Sequence, residues 1–391
     1  MRAGNIAATP LQRNALINNL NSSTMQRPRC LPCGNRPLVA SPPKLSLKLS
    51  RPDRRAKLVI ANVAEFTRAA PAEVIMCAKI AAHSASLASV TVLEDSDESK
   101  KIVTTSLDKT VALWTSEGGC DALCNSGYSE THRFTPPGGP VFSTLLDRRS
   151  DDGLPDQLYL GAHGKHVTAW VPPRAQLEAG VVLDGHCGWV RALAASAGNR
   201  WLFSAACKEI RQWDMARAVP SAAGTTVVEK GDILAMTASK TTVFTAGSDG
   251  SIRSFTIGKS GGLTPAACRP KAHNDRVCAL VLDGGILFSA SYDGSIKSWD
   301  ADSLEIVAAS GAAHGGERVN CLALGPGRLL YSGGGDCLVR RWMPGLLTEA
   351  AVPLHAHNHS VCALGAGRKD LLVSGDNGGE IAVWKVQNNA Q

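Results

Sequence analysis

A large aromatic residue returns at near-constant intervals along this chain, at Trp114, Trp170, Trp213, Phe255, Trp299, Trp342 and Trp384. After a first interval of 56 residues the spacings are 43, 42, 44, 43 and 42. A fixed period of about 40–45 residues belongs to radial arrays in which each repeat is one four-stranded sheet. The chain is therefore expected to be all-β and to fold as a seven-bladed propeller. Segments such as Val277-Cys278-Ala279-Leu280-Val281-Leu282 supply strands that bury side chains against adjacent blades. Asp249-Gly250 and Asp293-Gly294 supply the tight turns between strands.

The fifth repeat is the cleanest copy. It opens at His273, continues through strands expected at 276–282, 286–291 and 295–299, and closes on Trp299-Asp300. The sixth shows His314, strands expected at 318–324, 329–333 and 338–342, and Asp336 in the turn before the last. Repeat three keeps Gly185-His186 and Trp213-Asp214 but has Cys207 in place of the turn aspartate. Repeat four has Lys230-Gly231 where Gly-His is usual, and Gly378 takes the aspartate place in repeat seven. Repeat two is the most divergent, with Gly164 at that position. Over about residues 73–384 this pattern resembles the WD40-repeat family. The resemblance implies a hydrogen-bonded relay inside each blade, joining the histidine, a strand serine, the indole and the turn aspartate. Complete sets are available as His273, Ser289 or Ser291, Trp299 and Asp293, and as His314, Ser332, Trp342 and Asp336.

The chain ends shortly after Trp384, one strand short of a seventh sheet, and Glu73–Ile80 is the segment expected to complete it. Pairing the two ends in one blade removes the free edges of an open ring. The domain reading is a leader at 1–52, a linker at 53–72 and one propeller at 73–391, with its closing strand at 73–80.

Charge divides along the same line. Of 41 basic and 34 acidic residues, 12 and 2 fall within 1–70, giving that segment +10 and leaving −3 for the rest. A near-neutral propeller gives no electrostatic footprint for general nucleic-acid binding. The leader has no acidic residue before Asp53 and is rich in Arg, Ser, Thr, Ala and Asn, as organellar transit peptides are. Its proline-rich stretch at 27–52 favours the chloroplast over the mitochondrion, and a disordered basic tail on a cytosolic or nuclear protein is the other reading. No apolar run is long enough for a secretory core or a membrane span.

Nothing in the chain spells out catalysis. It has no phosphate-binding glycine loop, nucleophile elbow or helix-borne zinc motif. Cys30 and Cys33 have zinc-like spacing without a second ligand pair. Cys120 and Cys124 offer a surface redox pair in the connection at 116–140. Cys278 and Cys362 recur at one repeat position, as packing residues do, and His163, His166, His355, His357 and His359 have no converging partners in the sequence. No catalytic residue, metal or cofactor is expected. The segment 147–156 is expected to be a solvated loop.

In the WD40 family, partners are often held by residues flanking the leading residue of each first strand. By position these are Trp189, Arg276 and Arg318 before it, with Ser86, Pro140, Asp232 and Ser360, and Phe142, Arg191 and Asn320 after it. Tyr292 precedes the turn Asp293. Trp, Tyr and Arg are the types enriched in interface hot spots, so the face is expected to suit an acidic or aromatic-containing peptide. The resemblance then implies a non-catalytic protein-interaction scaffold, read here as an organellar assembly or regulatory factor. The alternative is a substrate receptor of a cullin-RING ubiquitin ligase. Its Trp-Asp-x-Arg box is one place out of register in Trp213-Asp214-Met215-Ala216-Arg217.

Overall fold

The computed structural model describes residues 73–95, 99–117, 127–148, 156–170, 181–198, 200–216, 220–228, 230–367 and 369–387. The leader, the linker, Cys30, Cys33, Cys120 and Cys124 lie outside the described residues. Those described are strands joined by turns, with one 3-10 turn at Pro326–Arg328.

The strands form seven antiparallel sheets. Their first strands are Leu87–Asp95, Val141–Asp147, Val190–Ala195, Ile233–Ala238, Val277–Asp283, Val319–Leu324 and Val361–Ala366. Each packs against the first strand of the next sheet, and the last packs against the first, so the ring is closed. The fourth strand of the seventh sheet comes from the other end of the chain: Glu73–Ala81 runs antiparallel to Glu380–Gln387, from Glu73 opposite Gln387 to Ala81 opposite Glu380.

The core follows the same cyclic logic. One apolar cluster fills each junction between neighbouring blades. Tyr159 of blade two packs with Val190 and Trp213 of blade three. Phe244 of blade four packs with Val277 and Trp299 of blade five. The closing junction sets Leu87 and Trp114 against Val373 and Ile381. A blade cannot bury both faces alone, so stability is shared between neighbours around the ring.

The connection at 116–140 contains a strand, and the expectation for 147–156 needs correction. Ser129–Phe134 pairs with Val111–Glu117 as the outer strand of blade one. The segment starting at Asp147 is not solvated where it begins: Asp147 is 1% exposed and Arg148 donates to the Leu93 carbonyl at 2.9 Å. Both residues close the end of a first strand and belong to the fold.

Candidate functional site

The relay is built as the repeat pattern implies, and the structure fixes its members. In blade five the Trp299 indole donates to Ser289 Oγ at 2.9 Å, and Ser289 lies 2.7 Å from His273 Nε2. His273 Nδ1 faces Asp293 at 3.2 Å and Ser295 Oγ at 2.9 Å. Ser291 is not part of the relay; its hydroxyl donates to the carbonyls of Asp275 and Arg276. Blade six repeats the set with Trp342, Ser332, His314 and Asp336, the last 2.6 Å from the imidazole. Burial lowers the His273 pKa to about 4, more than Asp293 restores it. A neutral ring that donates from Nδ1 and accepts at Nε2 satisfies every buried group. Burial works against ionisation of Asp293 as well, yet hydrogen bonds from Ser295 and the Asn274 amide hold its pKa below the usual carboxylate range.

The relay extends to blades where the sequence looked deficient. Blade seven has Gly378 at the expected place, but Asp376 substitutes from two residues earlier, fully buried and 3.1 Å from His357. It also accepts from the amides of Gly378 and Glu380. Blade one uses Thr104 in place of serine, between Trp114 and His83, with Asp108 3.0 Å from the ring. Blade three keeps His186, Ser204 and Trp213, but Glu209 approaches His186 only to 3.8 Å. Burial and the Arg211 charge depress the His186 pKa to about 4. In blade four Asp249 binds Ser251 and Arg253 at 2.6 Å each. Its histidine place is not Gly231. In blades one, three, five and seven the histidine stands four residues before the leading residue, which in blade four is Glu229, outside the described residues.

Each first strand carries a register shift immediately after its leading residue, from Leu87/Ser89 and Val141/Ser143 through Val361/Ala363. A bulge leaves one residue unpaired and re-aims its side chain. Those residues include Phe142, Arg191, Cys278, Asn320 and Cys362. Three of them are used to join blades. Cys278 Sγ donates to the Val319 carbonyl at 2.8 Å, Asn320 Nδ2 to the Val361 carbonyl at 2.8 Å, and Cys362 Sγ to the Leu87 carbonyl at 3.0 Å. Burial pushes both the Cys278 and Cys362 thiols up to about 12, so they stay protonated and inert as nucleophiles. Asn320 also donates to Ser360 Oγ, so both its donor contacts lie inside the ring wall.

The remaining candidate residues assemble into two groups. Between blades two and three, Trp189 is 42% exposed and stacks on Phe142, with ring centroids 5.7 Å apart. Arg191 lies over both rings, 5.2 Å from Trp189 and 5.4 Å from Phe142. Between blades five and six, Tyr292 lies beneath Arg276 and Arg318, at 5.3 and 5.7 Å. His163 joins the first group, 4.6 Å from the Trp189 ring. The sequence singled it out only as one of several scattered histidines, and its place directly after the strand Gln157–Ala162 was the available signal. Stacked guanidinium and aromatic surfaces bind carboxylates and flat apolar groups. Among the described residues, no three His, Cys, Asp or Glu side chains converge as a metal site, and no helix is long and apolar enough to cross a membrane.

Comparison with known proteins agrees with this geometry. The WD domain, G-beta repeat family matches residues 178–214 and 267–300. Kinesin-like protein KIF21B of Homo sapiens is 30% identical over 146 residues, which are 36% of this chain and 9% of that protein. Kinesin-like protein KIF21A of Homo sapiens is 22% identical over 207 residues, 51% of this chain and 12% of that protein. The match thus spans only about a tenth of these relatives. A solved structure, the WD40 beta propeller domain of Doa1, superposes with a TM-score of 0.64 at 19% identity, covering 80% of this chain and 97% of that one.

Proposed function

We propose, from the premise that this chain is a seven-bladed WD40-repeat propeller, that it is a protein-interaction scaffold whose partner seats on the two arginine–aromatic groups. The observation that carries this reading is the exposed Trp189, sandwiched with Phe142 and overlain by Arg191. A large aromatic ring left in water next to a guanidinium is favourable to bury against a partner. The second group, Tyr292 with Arg276 and Arg318, supplies two further cations. The partner segment is accordingly acidic and contains apolar or aromatic side chains. WD40 propellers are in general non-catalytic platforms, and function on such a fold lies in the site it carries.

The place of action rests on the first 52 residues alone, whose composition supports import into the chloroplast. The chain would then be an assembly or regulatory factor of an organellar complex. Mass spectrometry of a C-terminally tagged copy purified from its own cells tests both points. A mature N-terminus between about residues 35 and 75 with organellar partners is expected from leader removal. An intact first segment with cullin or nuclear partners would replace this reading by the ubiquitin-ligase receptor.

A further inference from the structure

The relay that secures the histidine-bearing blades is broken in blade four, and the space beside the break is a cavity. Phe255 stands where those blades have tryptophan, so no indole N–H is available. Thr245 shares the register of Ser289, opposite Arg253 as Ser289 is opposite Lys297. Its hydroxyl is buried and meets no partner among the described residues, with the residue 1% exposed. Next to Phe255 the outer parts of blades three and four flank a solvent-open cavity of about 720 Å³, which Asp249 also lines. That volume falls in the range of sites for small organic molecules.

The walls specify a ligand with two chemically different ends. Val227, Phe255, Pro265 and Pro270 form an apolar side, and Val227 is 70% exposed. Lys230, Arg253 and Lys271 bring positive charge. Arg253 is matched by Asp249 at 2.6 Å, whereas Lys230 and Lys271 have no ion pair among the described residues. Lys271 also holds a φ of 51°, a conformation that L residues seldom adopt. The edge strand Leu263–Arg269 contains Pro265, which cannot donate to an added strand. Recognition at this place therefore runs through side chains instead of strand addition.

We propose that this cavity binds a small amphipathic anion. An aromatic or branched aliphatic body would pack on Val227, Phe255 and Pro265, and its carboxylate, sulfonate or phosphate would be met by Lys230 and Lys271. The site is separate from the arginine–aromatic groups, and its occupation is independent of whether a protein partner binds there.

Cys268 lines the cavity and is an exposed free thiol, while Cys187 and Cys207 are exposed free thiols outside the cavity lining. They form an internal control in the unmodified full chain. The probe is 1-anilinonaphthalene-8-sulfonate, which joins an aromatic body to an anionic group. Titration is expected to saturate at one dye per chain. With free dye at about ten times its Kd, alkylation of Cys268 by iodoacetamide should slow about tenfold, with Cys187 and Cys207 unaffected. The K230E/K271E double variant should weaken dye binding about tenfold or more, with its melting temperature unchanged. Cys268 alkylation at the unprotected rate under saturating dye would overturn the proposal. So would a double variant that folds and binds the dye as tightly as the parent chain.

Discussion

The same backbone device does different work on two arcs of the ring. On blades five, six and seven, the residue displaced by the first-strand bulge crosses to the next blade. Cys278, Asn320 and Cys362 each donate to the carbonyl of the neighbouring leading residue, and the last of these contacts joins blade seven to blade one. On blades two and three, Phe142 and Arg191 occupy that place and group with Trp189 instead. The relays divide similarly. Blades five, six, seven and one have an imidazole with a carboxylate at 2.6–3.2 Å. Among the described residues, blade three has a histidine without a close carboxylate, and blade four leaves Thr245 unpartnered. The comparison teaches that a bulge supplies only a direction. A short polar side chain there fastens one blade to the next, and a long cation or an aromatic ring equips the surface.

The largest way to break the fastened arc is to remove its closing strand. Deletion of residues 73–81 exposes the edge of Glu380–Gln387 and opens the ring, and the expected result is loss of soluble monomer by size-exclusion chromatography. A soluble monomer with an unchanged melting curve would show that the ring does not depend on that pairing.

Acid should load the relays of both arcs next. His186 and His273 have folded-state pKa values of about 4, and those of His83 and His357 are also lowered, chiefly by burial. Between about 4 and the ordinary value near 6.5, the unfolded chain binds protons that the folded chain refuses. Stability is therefore full above about pH 6.5 and is lost as pH falls toward 4. Urea midpoints measured across this window should fall steadily, and His186→Gln should flatten the blade-three share of the slope. A stability curve level between pH 7 and pH 4.5 would contradict the neutral-imidazole relay.

A smaller contrast compares the two turn aspartates. Asp293→Ala leaves buried donors of blade five unpaired, the His273 imidazole among them, and should cost about 1–3 kcal/mol. Asp249→Ala in blade four removes a part-exposed pair with Arg253 and the bonds from Ser251, with no imidazole behind them, and should cost about 1 kcal/mol. Equal losses in denaturant unfolding would erase the difference between relay and surface pair.

The smallest expected effect concerns the bulges. Asn320→Ala should cost about 1 kcal/mol through its contact to the Val361 carbonyl. Arg191→Ala should stay within about 0.5 kcal/mol, because its side chain is exposed. Reversal of that order would place Arg191 among the structural residues.

Much of this architecture is legible in the sequence because a repeat states the same constraint seven times. The aromatic period, the turn Asp-Gly pairs and the histidines place the blades, and the relay of blade five is readable down to a choice between Ser289 and Ser291. What escapes is register. Asp376 replaces a missing aspartate from a position two residues away, which depends on where the strand ends and the turn begins. Glu229, not Gly231, stands at the blade-four histidine place for the same reason. The bulges are invisible in a string of alternating residues, so Asn320 reads as a face residue when its amide joins blades six and seven. His163 meets Trp189 only through a contact between different blades.

The most direct measurement compares proteins co-purifying with the tagged full chain and two triple variants, F142A/W189A/R191A and R276A/Y292A/R318A, each verified to melt as the parent does. Scaffold function through the arginine–aromatic groups predicts that the same partner set is depleted from both variants. Recovery of an unchanged partner set with both would contradict it.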